Sequence, residues 1–146
     1  FESDHHAAAR RELTHWEEDA EGALALVLLL DQIPRNIFRN SPHAFATDPL
    51  ALAVAQRAIA RRFDAATESQ LRMFFYLPLE HAEDLELQHR CVALTEALGN
   101  AEYTRFAHLH RDIIARFGRF PHRNAILTRK STPEEIAYMA EGGFAG

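Results

Sequence analysis

Apolar positions along this chain recur at helical spacings, and nowhere do they alternate with the strict period of two that a half-buried strand needs. The pattern predicts a first helix over Ala7 to Glu18. Ala23 to Ile33 is apolar on every side, which predicts a central, surrounded helix closed by Pro34. Asp48 followed by Pro49 supplies an N-cap and a first-turn proline for a helix to about Arg62. Thr67 with Gln70 has the form of a capping box for a helix to about Leu77. Pro78 then restarts the chain into a helix that stops at Gly99. Ala101 to Phe117 follows, ended by Gly118, and Thr132-Pro133-Glu134-Glu135 opens a last short helix ended by Gly142-Gly143. Short links between helices favour antiparallel neighbours. The expectation is all-α: about seven helices over residues 1–146, a single helical domain of antiparallel helical hairpins.

Helical projection sorts the polar residues by direction. On the helix ending at Phe117, His110 falls inside an apolar arc of Tyr103, Phe106, Ile113, Ile114 and Phe117, while Arg105, His108, Asp112 and Arg116 lie opposite. On a helix from Glu80 to Leu98, the same projection turns His81, Asp84 and Gln88 inward and Glu83, Glu86, Arg90 and Glu96 toward water. A buried carboxylate is costly alone, so Asp84 needs a partner. Asp31 sits in the last turn of the central helix, where the negative end of the helix dipole disfavours it by about 0.3–1 kcal/mol. Arg35, Arg39 and Arg123 are its candidate partners.

Nearly half the residues are apolar and a quarter are charged, the composition of a folded globular chain. The longest apolar run, Ala23 to Leu30, is too short to span a bilayer, so no membrane role is expected and the cytoplasm is the expected compartment. The single Cys91 excludes an internal disulfide and a Cys-rich metal site. The chain opens on Phe1 rather than Met, so an upstream segment is expected. Charge is uneven. Arg105 to Lys130 holds seven basic residues and one acidic residue, so the rest of the chain carries −11 against an overall −5. Such polarity suits an anion-binding patch or the docking of one half on the other.

Two segments echo each other: Ile33-Pro34-Arg35-Asn36-Ile37-Phe38-Arg39 and Phe120-Pro121-His122-Arg123-Asn124-Ala125-Ile126-Leu127-Thr128-Arg129. Each passes from an apolar residue through proline to an Arg-Asn pair and a further arginine. Proline rigidifies the bend, and the Arg-Asn pair presents a charged fork and an amide at a fixed place. If the two corners converge, Asp31, Arg35, Asn36, Arg39, Arg119, His122, Arg123, Asn124 and Arg129 form an anion-binding ligand site. An anionic small molecule or an acidic peptide would fit it. The alternative is an enzyme in which Arg119 and Arg123 hold an anionic substrate. His122, His110 or His81 would then move a proton, with Asp84 orienting the ring. A purely structural clamp is the third reading.

Other chemistries lack their residues. No His-Glu-x-x-His, phosphate-binding glycine loop, nucleophile elbow or Cys-His metal spacing is present. Two Glu-x-x-His pairs, Glu12–His15 and Glu86–His89, are about what chance gives in a chain this rich in both residues. His5 and His6 are expected in solvent near the terminus. No metal and no cofactor are therefore expected. Arg116-Phe117-Gly118-Arg119-Phe120 interleaves cations and rings, but the net negative charge argues against nucleic-acid binding. A second apolar helical face leaves room for a homodimer.

Three blocks carry a family likeness: Leu28 to Arg39 (LLLDQIPRNIFR), Tyr76 to Asp84 (YLPLEHAED) and Phe117 to Asn124 (FGRFPHRN). Together they resemble the bacterial domain-of-unknown-function family 924. The resemblance runs from about Trp16 to the last helix. It implies a tetratricopeptide-like fold, a right-handed superhelix of helical hairpins, although no 34-residue repeat is visible in the chain. It also implies shared polar positions at Asp31, Gln32, Arg35, Asn36, Arg39, His81, Glu83, Asp84, Arg119, His122, Arg123, Asn124 and Arg129. Members usually carry a further N-terminal helical segment, so one is expected ahead of this chain. Thr128 stands where the family commonly has glycine. No activity comes with the resemblance.

Overall fold

In the computed structural model, which describes residues 1–146, every regular element is helical. Helix α1 spans Glu2–Ala9, earlier than the expected Ala7 to Glu18. The chain leaves it through Arg11 in a left-handed conformation (φ 63°) and makes a short 3-10 turn at Thr14–Glu18. Asp19 then caps α2 (Ala20–Val27), accepting the Gly22 N–H at 2.8 Å. Gly22 is required there, because a Cβ at this position would lie 2.1 Å from the Trp16 carbonyl oxygen.

The central helix does not stop at Pro34. A π turn at Leu28–Gln32 joins α2 directly to α3 (Ile33–Ile37), and Pro34 is buried in the first turn of α3. Proline has no N–H to donate, and the wider turn redirects the Ile33 N–H to Leu28 O. Carbonyls around the bend take side-chain donors, two from distant segments and one from α3. His5 Nδ1–H donates to Leu29 O at 2.8 Å, the Thr47 hydroxyl to Leu30 O at 2.6 Å, and Arg35 to Asp31 O at 2.9 Å. Tertiary contacts thus complete a helix that a local proline rule ends.

Pro42–Phe45 forms a 3-10 turn, followed by α4 (Asp48–Ala60) and α5 (Ser69–Glu80). Neither expected cap forms. The Asp48 carboxylate is taken by Arg35, and the Thr67 hydroxyl donates back to Phe63 O. Pro78 also lies inside a helix, since α5 continues past it to Glu80. The break comes at residues 81–84, and α6 (Leu85–Leu98) begins on Asp84, whose carboxylate accepts the Leu87 N–H at 3.0 Å. In the last turn of α5 a proline removes only one helical hydrogen bond.

The remaining boundaries match the sequence. Gly99 (φ 80°) ends α6, Asn100 caps α7 (Ala101–Phe117), and Gly118 (φ 72°) ends it. After a 3-10 turn at Pro121–Arg123 comes α8 (Pro133–Ala140), opened by a complete capping box between Thr132 and Glu135. With α2 and α3 counted as one continuous rod, there are seven helices. Neighbours in sequence pack on each other: α2 with α4, α4 with α5, α5 with α6 and α6 with α7. Their main core includes Val27, Ala55, Phe75, Leu79 and Cys91. A smaller cluster of Ile113, Ile114 and Phe120 lies where α7 meets the second corner. No helix is long and apolar enough to cross a membrane.

Candidate functional site

The two Pro-Arg-Asn corners converge on Asp48. Arg35, from the first corner, holds its carboxylate with two hydrogen bonds of 2.7 and 2.9 Å. Arg123, from the second, places its NH1 3.9 Å from the same carboxylate. Both guanidinium groups also lie on the Phe45 ring, 5.4 and 4.6 Å from its centroid. The 3-10 turn before α4 is thus the meeting point of segments some ninety positions apart.

Two buried acid–imidazole pairs stand beside this junction. Asp31, fully buried in the π turn, accepts from His81 Nδ1–H at 2.7 Å, from the Gln32 amide at 2.7 Å and from Arg35 at 3.2 Å. Burial alone would push the Asp31 carboxyl up. The His81 imidazole, with Arg35 and the Gln32 amide, outweighs it and holds the group down at about 2. Glu80, the preceding residue to His81, lies 3.2 Å from His110 Nδ1. Burial, reinforced by the nearby Asp31 charge, pushes Glu80 up to about 7. Desolvation lowers His110 to about 4, although its Nδ1–H donates to Phe106 O at 2.8 Å. The Asp31 carboxylate is therefore held ionised, whereas the Glu80–His110 pair favours two neutral partners.

Gln88 fixes the end of α5 that carries Glu80 and His81. Its amide donates to Leu79 O, Glu80 O and Ala82 O at 3.4, 2.6 and 2.8 Å. Arg123 adds a 3.0 Å hydrogen bond to His81 O. Residues 80 and 81 are consequently held from both sides.

A cavity of about 280 Å³ opens against these groups, lined by Arg35, His81, His110, His122, Arg123, Phe45 and Phe144 among others. No acidic side chain lines it. Arg123 is buried, its Nε has no partner, and its nearest carboxylate is the shared Asp48. Desolvation and then the Arg35 charge lower its pKa to about 10. His122 Nδ1 is likewise buried without a partner, and its imidazole is lowered to about 4 by desolvation and by Arg123. On the other side of His81 and Arg123 lies a more open hollow of about 490 Å³ whose rim includes Asp48, Glu83 and Asp84.

Several expected site residues serve other purposes. Arg119 makes a bidentate pair with buried Glu135 at 2.7 and 2.9 Å and also donates to Lys130 O. Arg129 makes a bidentate pair with Glu83 at 2.7 and 3.1 Å, so Glu83 does not point into water. Glu83 also accepts the Phe120 N–H. Asn124 is buried between Arg129, Ser131 and Glu135. These residues brace the second corner against the start of α8 and the link before α6. Asn36 and Arg39 are exposed: Asn36 donates to Gln32 O, and Arg39 lies 3.5 Å from the Asn36 amide oxygen.

Asp84 is exposed and orients no imidazole. Its expected inward direction assumed a helix running through residues 80–84, whereas the chain turns there. The same misplaced break concealed Glu80. Its signal was present, since Glu80 follows the buried Met73 and Tyr76 at spacings of seven and four on α5. His5 was expected in solvent and is instead fully buried.

Residues 1–143 match the family described as "Bacterial protein of unknown function (DUF924)". The structure of the protein of unknown function ATU0120 from Agrobacterium tumefaciens superposes with a TM-score of 0.94 at 56% identity, covering 97% of this chain and 80% of that one. No curated protein matches the chain.

Proposed function

The chain belongs to the bacterial family of unknown function DUF924, and from the geometry of its own site we propose that it binds a small anionic molecule in the Arg- and His-lined cavity. One observation carries this reading: the cavity collects two arginines and three histidines, with no acidic side chain among its lining residues. Arg35 is answered by Asp31 and Asp48, but Arg123 has no carboxylate within hydrogen-bonding distance. Desolvation, and after it the neighbouring cations, lower the pKa of Arg123, His110 and His122, and an entering carboxylate or phosphate would offset that cost. The enclosed volume suits one anionic group with a short body better than an acidic peptide.

The anion would raise the His110 and His122 pKa values from about 4, so binding takes up protons and tightens as pH falls from 7 toward 5. The test is a thermal-shift and calorimetric screen with inorganic phosphate, acetyl phosphate and succinate at pH 7 and 5.5. The expected result is a ligand-dependent rise in Tm, larger at pH 5.5, that Arg123→Gln abolishes while circular dichroism shows an intact fold. If none of these anions raises Tm at either pH, the cavity is structural and the reading fails.

The Asp31–His81 hydrogen bond favours a second reading, an enzyme acting on the same anion. His81 Nε2, which has no hydrogen-bond partner in the protein, would exchange a proton with substrate while Asp31 fixes the tautomer. Asp31→Asn would then preserve anion binding and abolish turnover, whereas a bound anion that the unaltered protein leaves chemically unchanged supports binding alone. The tetratricopeptide-like superhelix is the finer architecture we propose for these rods, supported by their neighbour-to-neighbour packing. A cytoplasmic location remains part of the same proposal.

A further inference from the structure

We propose that His5, His6 and His43 form a binding site for a divalent late-transition ion of the zinc class. The three side chains come from α1 and from the 3-10 turn at Pro42–Phe45. One ligand nitrogen from each lies within 4.8 Å of the other two. Imidazole is the donor that zinc, nickel and copper(II) share, and three such ligands with one open position make a common zinc set.

His5 carries the inference. It is fully buried, its Nδ1–H is committed to Leu29 O at 2.8 Å, and its Nε2 is buried with no partner. A ring N–H bonded to a backbone carbonyl is the outer-shell arrangement that fixes the tautomer of a metal-ligating histidine and leaves the other nitrogen's lone pair available. The Leu29 hydrogen bond accounts for one ring nitrogen, and nothing in the protein answers the other. His43 is held by stacking on Phe38, with centroids 3.8 Å apart and planes 4° from parallel. His6 is half-exposed, and its Nε2 lies 3.8 Å from Glu2 Oε1.

Tetrahedral zinc with bonds of about 2.0–2.1 Å brings its ligand nitrogens to roughly 3.3 Å from one another. The cluster must therefore close by no more than about 1.5 Å, which side-chain rotation of the less buried His6 and His43 supplies. The bound ion would tie α1 to the turn that carries Phe45. It would also rest, through His5, on the π turn that carries Asp31.

The test is titration of the metal-free protein with Co2+, followed by visible absorption, and competition of that signal by Zn2+. Expected is one equivalent giving the d–d bands of tetrahedral cobalt, displaced by Zn2+, with affinity falling roughly a hundredfold or more in His43→Ala and in His6→Ala. Both positions are partly exposed, so these variants should fold, and circular dichroism checks that they do. Absence of a tetrahedral cobalt spectrum overturns the proposal. So does equal affinity in His43→Ala, which would assign the metal to the chain's other histidines.

Discussion

Replacing Glu80 with glutamine isolates the cost of burying an acid beside Asp31. The native carboxyl titrates near 7 against an ordinary 4.5, because it is desolvated and faces the Asp31 charge. Between those values the folded protein keeps a proton that the unfolded chain has released, so stability falls as pH rises through the window. The gap corresponds to roughly 3 kcal/mol, fully lost once the pH exceeds 7. The amide cannot ionise and occupies nearly the same space. Urea unfolding of both proteins from pH 4 to 8.5 should therefore give a difference that is flat up to about 4.5. It should then move in favour of Glu80→Gln by about 3 kcal/mol by pH 8. His110 and His122 have the opposite slope, since their lowered pKa values make stability rise with pH between about 4 and 6.5, but this is common to both proteins and cancels. A difference that stays constant to within about 0.5 kcal/mol across the range would refute the assignment of Glu80 as a buried, protonated acid.

Glu135→Ala removes the partner of Arg119 together with the α8 capping box, and should cost about 1–2 kcal/mol in urea unfolding, the size of a lost cap. A loss below about 1 kcal/mol would return Arg119 to the pool of free cations. Thr128 adopts φ 55°, a conformation that disfavours a β-branched residue, so Thr128→Gly should raise Tm by a few degrees, about 2–4 °C at most; a lower Tm would show that the threonine side chain is itself stabilising. Cys91 is buried and desolvation pushes its thiol strongly up, so a thiol reagent should label it only at the rate of unfolding. Rapid labelling of the native protein would place it on an open surface.

Sequence patterns found the elements whose ends are made locally. Gly99, Gly118 and the Thr132–Glu135 box terminate or begin helices with groups within a few positions of one another. They failed at Pro34 and Pro78, because the carbonyls around Pro34 are completed by His5, Thr47 and Arg35, and a proline in the last turn of α5 costs little. Convergence of the two corners was legible from their shared motif. Asp31 was legible too, as a carboxylate at a disfavoured helix end needing a cation. The division of labour among the arginines was not. Arg119, Arg123 and Arg129 look alike in sequence, and only the positions of Glu135, Glu83 and Asp48 decide which is clamped and which is left over.

The wide turn at Leu28–Gln32 also sets a rule for how this chain can change. It holds one residue more than an α turn would between two helical stretches. Adding a further residue there would rotate everything downstream by about 100°, swinging Arg35 off Asp48 and Asp31 away from His81. Substitutions in this stretch alter a side chain, whereas an insertion dismantles the junction. Length should therefore be the stricter constraint at this point in the chain.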